Sequence, residues 1–222
     1  MKKQLLINTS VVLIALSPLI YLLFAWNAIP LSYTTRFEFN EVVEKVQSRN
    51  SLLMATIILS VVCALLYVLM RNLQKVDPKV TTQTPASAFH RLGLAITLFL
   101  VVMNYFFIIS AEKQLVVNSV VGIRVFGLFI LIIGNYMNNL KPNFVAGIRL
   151  PWTLNDPENW RKTHQLAGKT WFAGGITLVV SSFILPVSLI IPVAIIVFTI
   201  LVFVPMVYSY QLYRKRLNHD KS

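Results

Sequence analysis

The chain has 222 residues, of which 56% are hydrophobic and 13% charged, where a soluble globular chain carries about 25% charged residues. The deficit falls in long charge-free blocks separated by polar gaps, which excludes a water-soluble core and points to a solvent that alternates between lipid and water. Twenty Lys and Arg stand against 8 Asp and Glu. There is no zinc-knuckle spacing, basic amphipathic arm or aromatic RNA-binding signature, so a direct nucleic-acid partner is not expected. The basic residues instead fit membrane edges facing anionic lipid.

The first block, residues 5–26, follows Lys2 and Lys3. It is longer than the apolar core of a secretory signal, and Pro18 spoils the small-residue pair Ala15 and Ser17 as a cleavage site. An uncleaved first helix is expected. Residues 27–50 then form the main polar segment on that side. Phe37, Val42, Val43 and Val46 alternate there with Glu38, Glu41, Glu44 and Lys45, and part of it is read as a short surface helix. Residues 51–70 form a second charge-free block. It contains Cys63, the single cysteine, so an intramolecular disulfide and a thiolate metal cluster are both excluded. Residues 76–87, rich in Thr and Pro, read as a flexible linker.

Residues 92–111 are again free of charge, and 120–137 carry only Arg124, near one end, where the side chain can snorkel. Residues 170–213 contain no charge over a length sufficient for two spans. Pro186, Val187 and Ser188 are the natural turn between them, and Pro192 and Pro205 fall inside the second. The expected fold is therefore an all-α membrane protein with six transmembrane helices. With the N-terminus inside, fifteen of the basic residues lie on the inner side. The outer five are Arg36, Lys45, Arg49, Lys113 and Arg124. This bias places both termini in the cytoplasm. Residues 1–91 then form a two-helix module with an external loop at 27–50 and a cytoplasmic linker at 71–91. Residues 92–222 form a four-helix module with a cytoplasmic loop at 138–169.

That last loop carries the most information. Residues 143–171 read NFVAGIRLPWTLNDPENWRKTHQLAGKTW and hold three of the four tryptophans. Pro151 forces Leu150 to be extended, so residues 147–154 are expected to be irregular rather than helical. Asn155-Asp156-Pro157-Glu158 is a helix start: a capping side chain, proline at the first helical position, and an acid at the positive end of the dipole. Beyond it Trp160, Thr163, His164, Ala167 and Trp171 recur at spacings of three and four and share one face, with Arg161, Lys162 and Gln165 on the other. This helix is expected to run along the interface before entering the membrane.

The segment resembles the signature of the SdpI family of bacterial membrane proteins. The matching positions are Gly147, Ile148, Arg149, Pro151, Trp152, Thr153, Leu154, Trp160, Lys162, Thr163, His164, Ala167 and Gly168, preceded by Gly134, Asn135, Tyr136, Lys141, Pro142 and Asn143. Relatives often carry an Ile-Pro-x-His-x-x-x-x-Gly loop after the first helix. Here Ile29-Pro30 is present and the His and Gly are not. The resemblance implies a plasma-membrane immunity protein that resists a secreted antimicrobial peptide toxin. It also implies signalling by holding a transcriptional repressor at the cytoplasmic face. The outer loops would meet the peptide. Gly147, Arg149, Pro151, Trp152, Thr153, Trp160, Thr163 and His164 are the candidate binding and signalling positions.

The competing classes are weaker. No span contains Asp or Glu, and His90, His164 and His219 have no metal-ligand spacing, so neither an enzyme nor a cofactor or metal site is expected. A small transporter or an envelope-homeostasis protein is the alternative. Asn104, Asn118 and Asn135 are the polar residues available for a path, and the six-helix count and the span prolines permit it.

Overall fold

The computed structural model describes residues 2–38, 42–76 and 86–219. The chain is a multi-pass helical membrane protein. Among the described residues five helices are long and apolar enough to cross a bilayer, over Ile7–Ala28, Arg49–Arg71, Phe89–Glu112, Val120–Met137 and Val187–Asn218. They correspond to α1 (Lys2–Ala25, extended by a 3-10 turn at Trp26–Ala28), α2 (Arg49–Arg71), α4 (Ala86–Glu112), α5 (Ser119–Met137) and α8 (Val187–His219). The short helices α3 (Leu73–Val76) and α6 (Pro151–Leu154) lie in connections. The remaining helix, α7 (Pro157–Ile184), is longer than a bilayer needs but is not among the five. Its N-terminal half carries Arg161, Lys162 and Lys169 and its middle holds two adjacent glycines. The expected break near Pro186 is present: Leu185 is extended, its N–H closes on Ser181 O at 2.8 Å, and α8 starts at Val187. Pro192 and Pro205 lie within that one continuous helix. Most of the linker read at 76–87 falls on residues 77–85, outside the described residues.

The chain divides into two compact units, Met1–Met70 with Gly93–Gly122, and Arg71–Leu92 with Ile123–Ser222. In the first unit the expectation of a surface helix within 27–50 is overturned. The segment forms strands β1 (Ser32–Glu38) and β2 (Val42–Ser48), paired antiparallel from Ser32 opposite Ser48 to Glu38 opposite Val42. A third strand, β3 (Val116–Asn118), pairs parallel to β1 through Arg36 and Val116. The physical reason is composition. Tyr33, Thr34, Thr35, Phe37, Val42, Val43 and Val46 are β-branched or aromatic residues, which suit a pleated surface better than a helix. Leu22, Ile29, Tyr33, Leu52, Ile108 and Ala111 form the core beneath these strands. Deeper in the unit Ala15, Cys63 and Val101 pack together, and Cys63 Sγ lies 3.7 Å from Thr97 O.

In the second unit α5 and α7 approach closely. A Cβ added at Gly134 would meet Phe172 N at 2.5 Å, and one at Gly175 would meet Leu131 N at 2.6 Å. The missing side chains let backbone touch backbone, as small residues do in membrane bundles. Ile130, Leu178, Val197 and Leu201 form the core of this unit. Arg124 does not reach toward lipid. Its Nε and Nη2 donate to Ser182 Oγ and Ser182 O at 3.1 and 2.8 Å, and its guanidinium lies 4.0 Å from the Phe183 ring. A cation thus binds the carbonyl-rich C-terminal end of α7, where the dipole is negative.

Candidate functional site

The signature segment belongs wholly to the second unit, and its backbone is shaped by its own side chains. Asn143, fully buried, folds the chain first. Its Nδ2 donates to Lys141 O and Ala146 O, both at 2.9 Å, and its Oδ1 accepts from Val145 N and Ala146 N at 2.9 and 2.6 Å. Both ends of the amide are therefore satisfied without water. Gly147 follows with φ +112°, a conformation that other residues rarely adopt. Any Cβ there would also lie 2.3 Å from His164 Nε2.

Leu150 is extended, as expected before Pro151. Residues 151–154, however, are not irregular. Pro151 opens α6, a single helical turn, because its fixed φ and missing N–H suit the first helical position. Thr153, also fully buried, closes this turn: its Oγ1 accepts from Leu150 N at 2.9 Å and lies 2.8 Å from Ile148 O. Asp156 then caps α7, accepting from Glu158 N and Asn159 N at 2.9 and 3.2 Å. Burial opposes the Asp156 charge, but Arg216 at 2.7 Å and those two N–H groups prevail and hold the carboxyl below its ordinary range. Exposed Glu158 pairs with Arg161 at 2.8 Å and Lys162 at 3.2 Å, which lower its pKa to about 2.

The buried face of α7 is the expected one. Trp160, Thr163, His164 and Ala167 are all buried, and Trp171 is half-buried. Trp160 Nε1 donates to Leu140 O at 2.8 Å, and its ring stacks on His164 with centroids 4.0 Å apart. The His164 tautomer follows from its partners. Ile148 N–H donates to Nε2 at 3.0 Å, so Nε2 carries the lone pair and the proton sits on Nδ1, which faces Trp160 O at 2.8 Å. Burial reinforces this neutral state and lowers the His164 pKa to about 4. The imidazole is therefore a fixed strut between α7 and the 144–150 turn.

A second polar chain runs to α8. Thr163 Oγ1 donates to Asn159 Oδ1 at 3.0 Å, and Asn159 Nδ2 donates to Ser209 O at 2.9 Å. Trp152 Nε1 donates to Ser209 Oγ at 3.0 Å, while its ring stacks on Tyr213 and meets Tyr210 edge-on. Sequence reasoning passed over Asn143, Asn159, Ser209, Tyr213 and Arg216 as site residues. The signal available in α8 was the run Tyr208-Ser209-Tyr210-Gln211 with Tyr213, which ends its apolar stretch ahead of the basic residues 214–216.

Of the eight sequence-predicted positions, Thr153, Trp160, Thr163 and His164 are buried, and Trp152 is half-buried. Gly147, Arg149 and Pro151 are exposed, and the Arg149 guanidinium donates to Phe144 O. Together they form one framework around the 144–154 turn, with Arg149 as its outward cation. Among the described residues no group of three His, Cys, Asp or Glu side chains is arranged to hold a metal ion.

This framework lies within the part of the chain that matches known proteins. The model of the SdpI/YfhL protein family matches residues 139–209, which bears out the family resemblance read from the motif. The chain is also 31% identical over 108 residues to "Immunity protein SdpI" of Bacillus subtilis (strain 168), over 49% of this chain and 51% of that relative. It thus spans about half the length of that relative. No solved structure gives a significant match.

Proposed function

We propose that this protein is an immunity protein of the bacterial plasma membrane, giving resistance to a secreted antimicrobial peptide. The observation that carries the reading is the family match over residues 139–209, which contains every one of the eight positions from Gly147 to His164. The similarity to an immunity protein supports it further. On this reading α7 supplies a sixth crossing through residues 170–184, both termini are cytoplasmic, and the framework around residues 144–154 faces the cytoplasm. The basic-residue asymmetry supports that orientation.

Binding rather than bond-making is the mechanism. The peptide meets the outer side, and the cytoplasmic turn, with Arg149 outward, offers a surface on which a repressor protein is held. Peptide binding favours one arrangement of the bundle and thereby changes what the turn presents. The test is killing of a deletion strain by secreted membrane-active peptides, with and without the wild-type gene, at matched membrane levels. Protection by the wild-type gene is expected. Equal killing of all strains by every peptide would remove immunity as the function and favour the transporter alternative.

A further inference from the structure

The first unit contains a groove of about 590 Å³, within the range of roughly 300–1,000 Å³ that holds small ligands. One stripe of α2 forms a wall: Ser51, Ala55, Ile58, Leu59 and Val62 follow helical spacing. Asn104, Phe107 and Ser110 of α4 line the opposite side, and Tyr33 and Gln47 of the paired strands close one end. Among the described residues no Asp, Glu, Lys or Arg lines it, which suits an occupant that is uncharged where it is held. From Ser51 to Val62 the helix rises about 17 Å, roughly half of a ~30 Å hydrocarbon core. The groove is thus one leaflet deep, with its polar groups concentrated toward the strands.

Partway along lies Thr56. It is 1% exposed, and its hydroxyl finds no hydrogen-bond partner among the described residues. A buried donor without an acceptor is costly and calls for one. Thr56 itself lines the groove, and threonine in a helix has two accessible χ1 rotamers, so its hydroxyl can serve either a carbonyl of the preceding turn or an acceptor seated in the groove. Asn104 also lines the groove, its Nδ2 donating at 3.2 Å to the Oγ of Ser60, one turn along α2 from Thr56.

We propose that this groove is a site for one ester-linked acyl chain of a bilayer glycerolipid. The glycerol end lies by Tyr33, Gln47 and Ser51, the ester carbonyl accepts from the Thr56 hydroxyl, and the hydrocarbon runs along Ile58, Leu59, Val62 and Phe107. The inference does not rest on the immunity reading.

The test is native mass spectrometry of the full-length protein, delipidated in detergent. It is then titrated with dioleoylphosphatidylglycerol or with its dialkyl ether analogue, which lacks the ester carbonyls. Wild type is expected to bind one ester lipid more tightly than the ether lipid. Thr56→Val is expected to weaken the ester lipid about fivefold, the worth of one hydrogen bond, and to leave the ether lipid unchanged. Ala55→Leu and Ile58→Trp, which fill the groove at exposed positions, are expected to abolish the bound lipid. Val68→Trp, exposed and about 120° around α2 from Val62, is expected to retain it. Two results would overturn the proposal. One is equal binding of ester and ether lipids that Thr56→Val does not change. The other is displacement of the ester lipid by a blocked leucine–alanine peptide, which would make the groove a peptide site. The killing assay is scored separately, so failure of one reading leaves the other standing.

Discussion

In the signature segment, Asn143, Thr153, Asn159, Trp160 and His164 are buried and each is hydrogen-bonded to a named protein group. Between α2 and α4, Thr56 and Thr97 are just as buried, yet their hydroxyls have no partner among the described residues. The difference separates two uses of polarity. A closed network fixes one backbone path and leaves nothing over for a ligand. An open one leaves binding capacity unspent. By this contrast the conspicuous motif residues mainly build the turn, and the inconspicuous hydroxyl marks the place where something else binds.

Substitutions divide accordingly. The largest loss is expected for Trp160→Ala, which removes a buried ring, its bond to Leu140 O and its stack on His164. About 3–5 kcal/mol is expected for a buried Trp to Ala change, read as loss of monodisperse protein after heating in detergent. Acid comes next. The His164 pKa is about 4 in the fold against 6.5 for a free imidazole. Below pH 6.5 the unfolded chain takes up a proton that the folded site refuses. Stability is therefore complete above pH 6.5, declines as pH falls toward 4 and is level below that. The full loss is about 3 kcal/mol. His164→Asn should flatten this part of the melting-temperature profile between pH 7 and pH 4.

Gly147→Ala is expected to cost about 2 kcal/mol from its left-handed backbone alone, with displacement of His164 added. Fluorescence-detected size exclusion after heating measures it. Arg124→Gln, which loses the guanidinium on the C-terminal end of α7, should cost about 1 kcal/mol by the same assay. Last, Thr56→Val without added lipid should not destabilise the fold and should stabilise it by up to about 1 kcal/mol, since it removes a buried hydroxyl that has no partner among the described residues and breaks no protein hydrogen bond. A large destabilisation there would erase the contrast between the two regions.

The long helices were legible because hydropathy over some twenty residues is a strong local signal. The Asp156 cap and the buried face of α7 were legible for the same reason, being local patterns of spacing. The hairpin was not, since pairing Ser32 with Ser48, and β1 with a strand some eighty residues away, is a tertiary choice that charged alternation disguised as a surface helix. The turn at 143–150 was hidden too. The role of Gly147 depends on His164, and only the folded chain brings that imidazole to the Ile148 N–H, while Asn143 is one of several asparagines and nothing in its spacing marks it as the one whose amide ties the turn. Even Pro151, correctly read as constraining Leu150, opens a helical turn that its dihedral permits and its neighbours complete.

The central claim is that the buried motif residues build the turn while the exposed Arg149 acts from it. The direct measurement compares membrane level and protection from killing in a deletion strain carrying wild type, His164→Ala or Arg149→Ala. The account predicts that His164→Ala loses level and protection together, while Arg149→Ala keeps its level and loses protection. Full protection by Arg149→Ala at wild-type level, or a normally abundant His164→Ala protein that fails to protect, would contradict it.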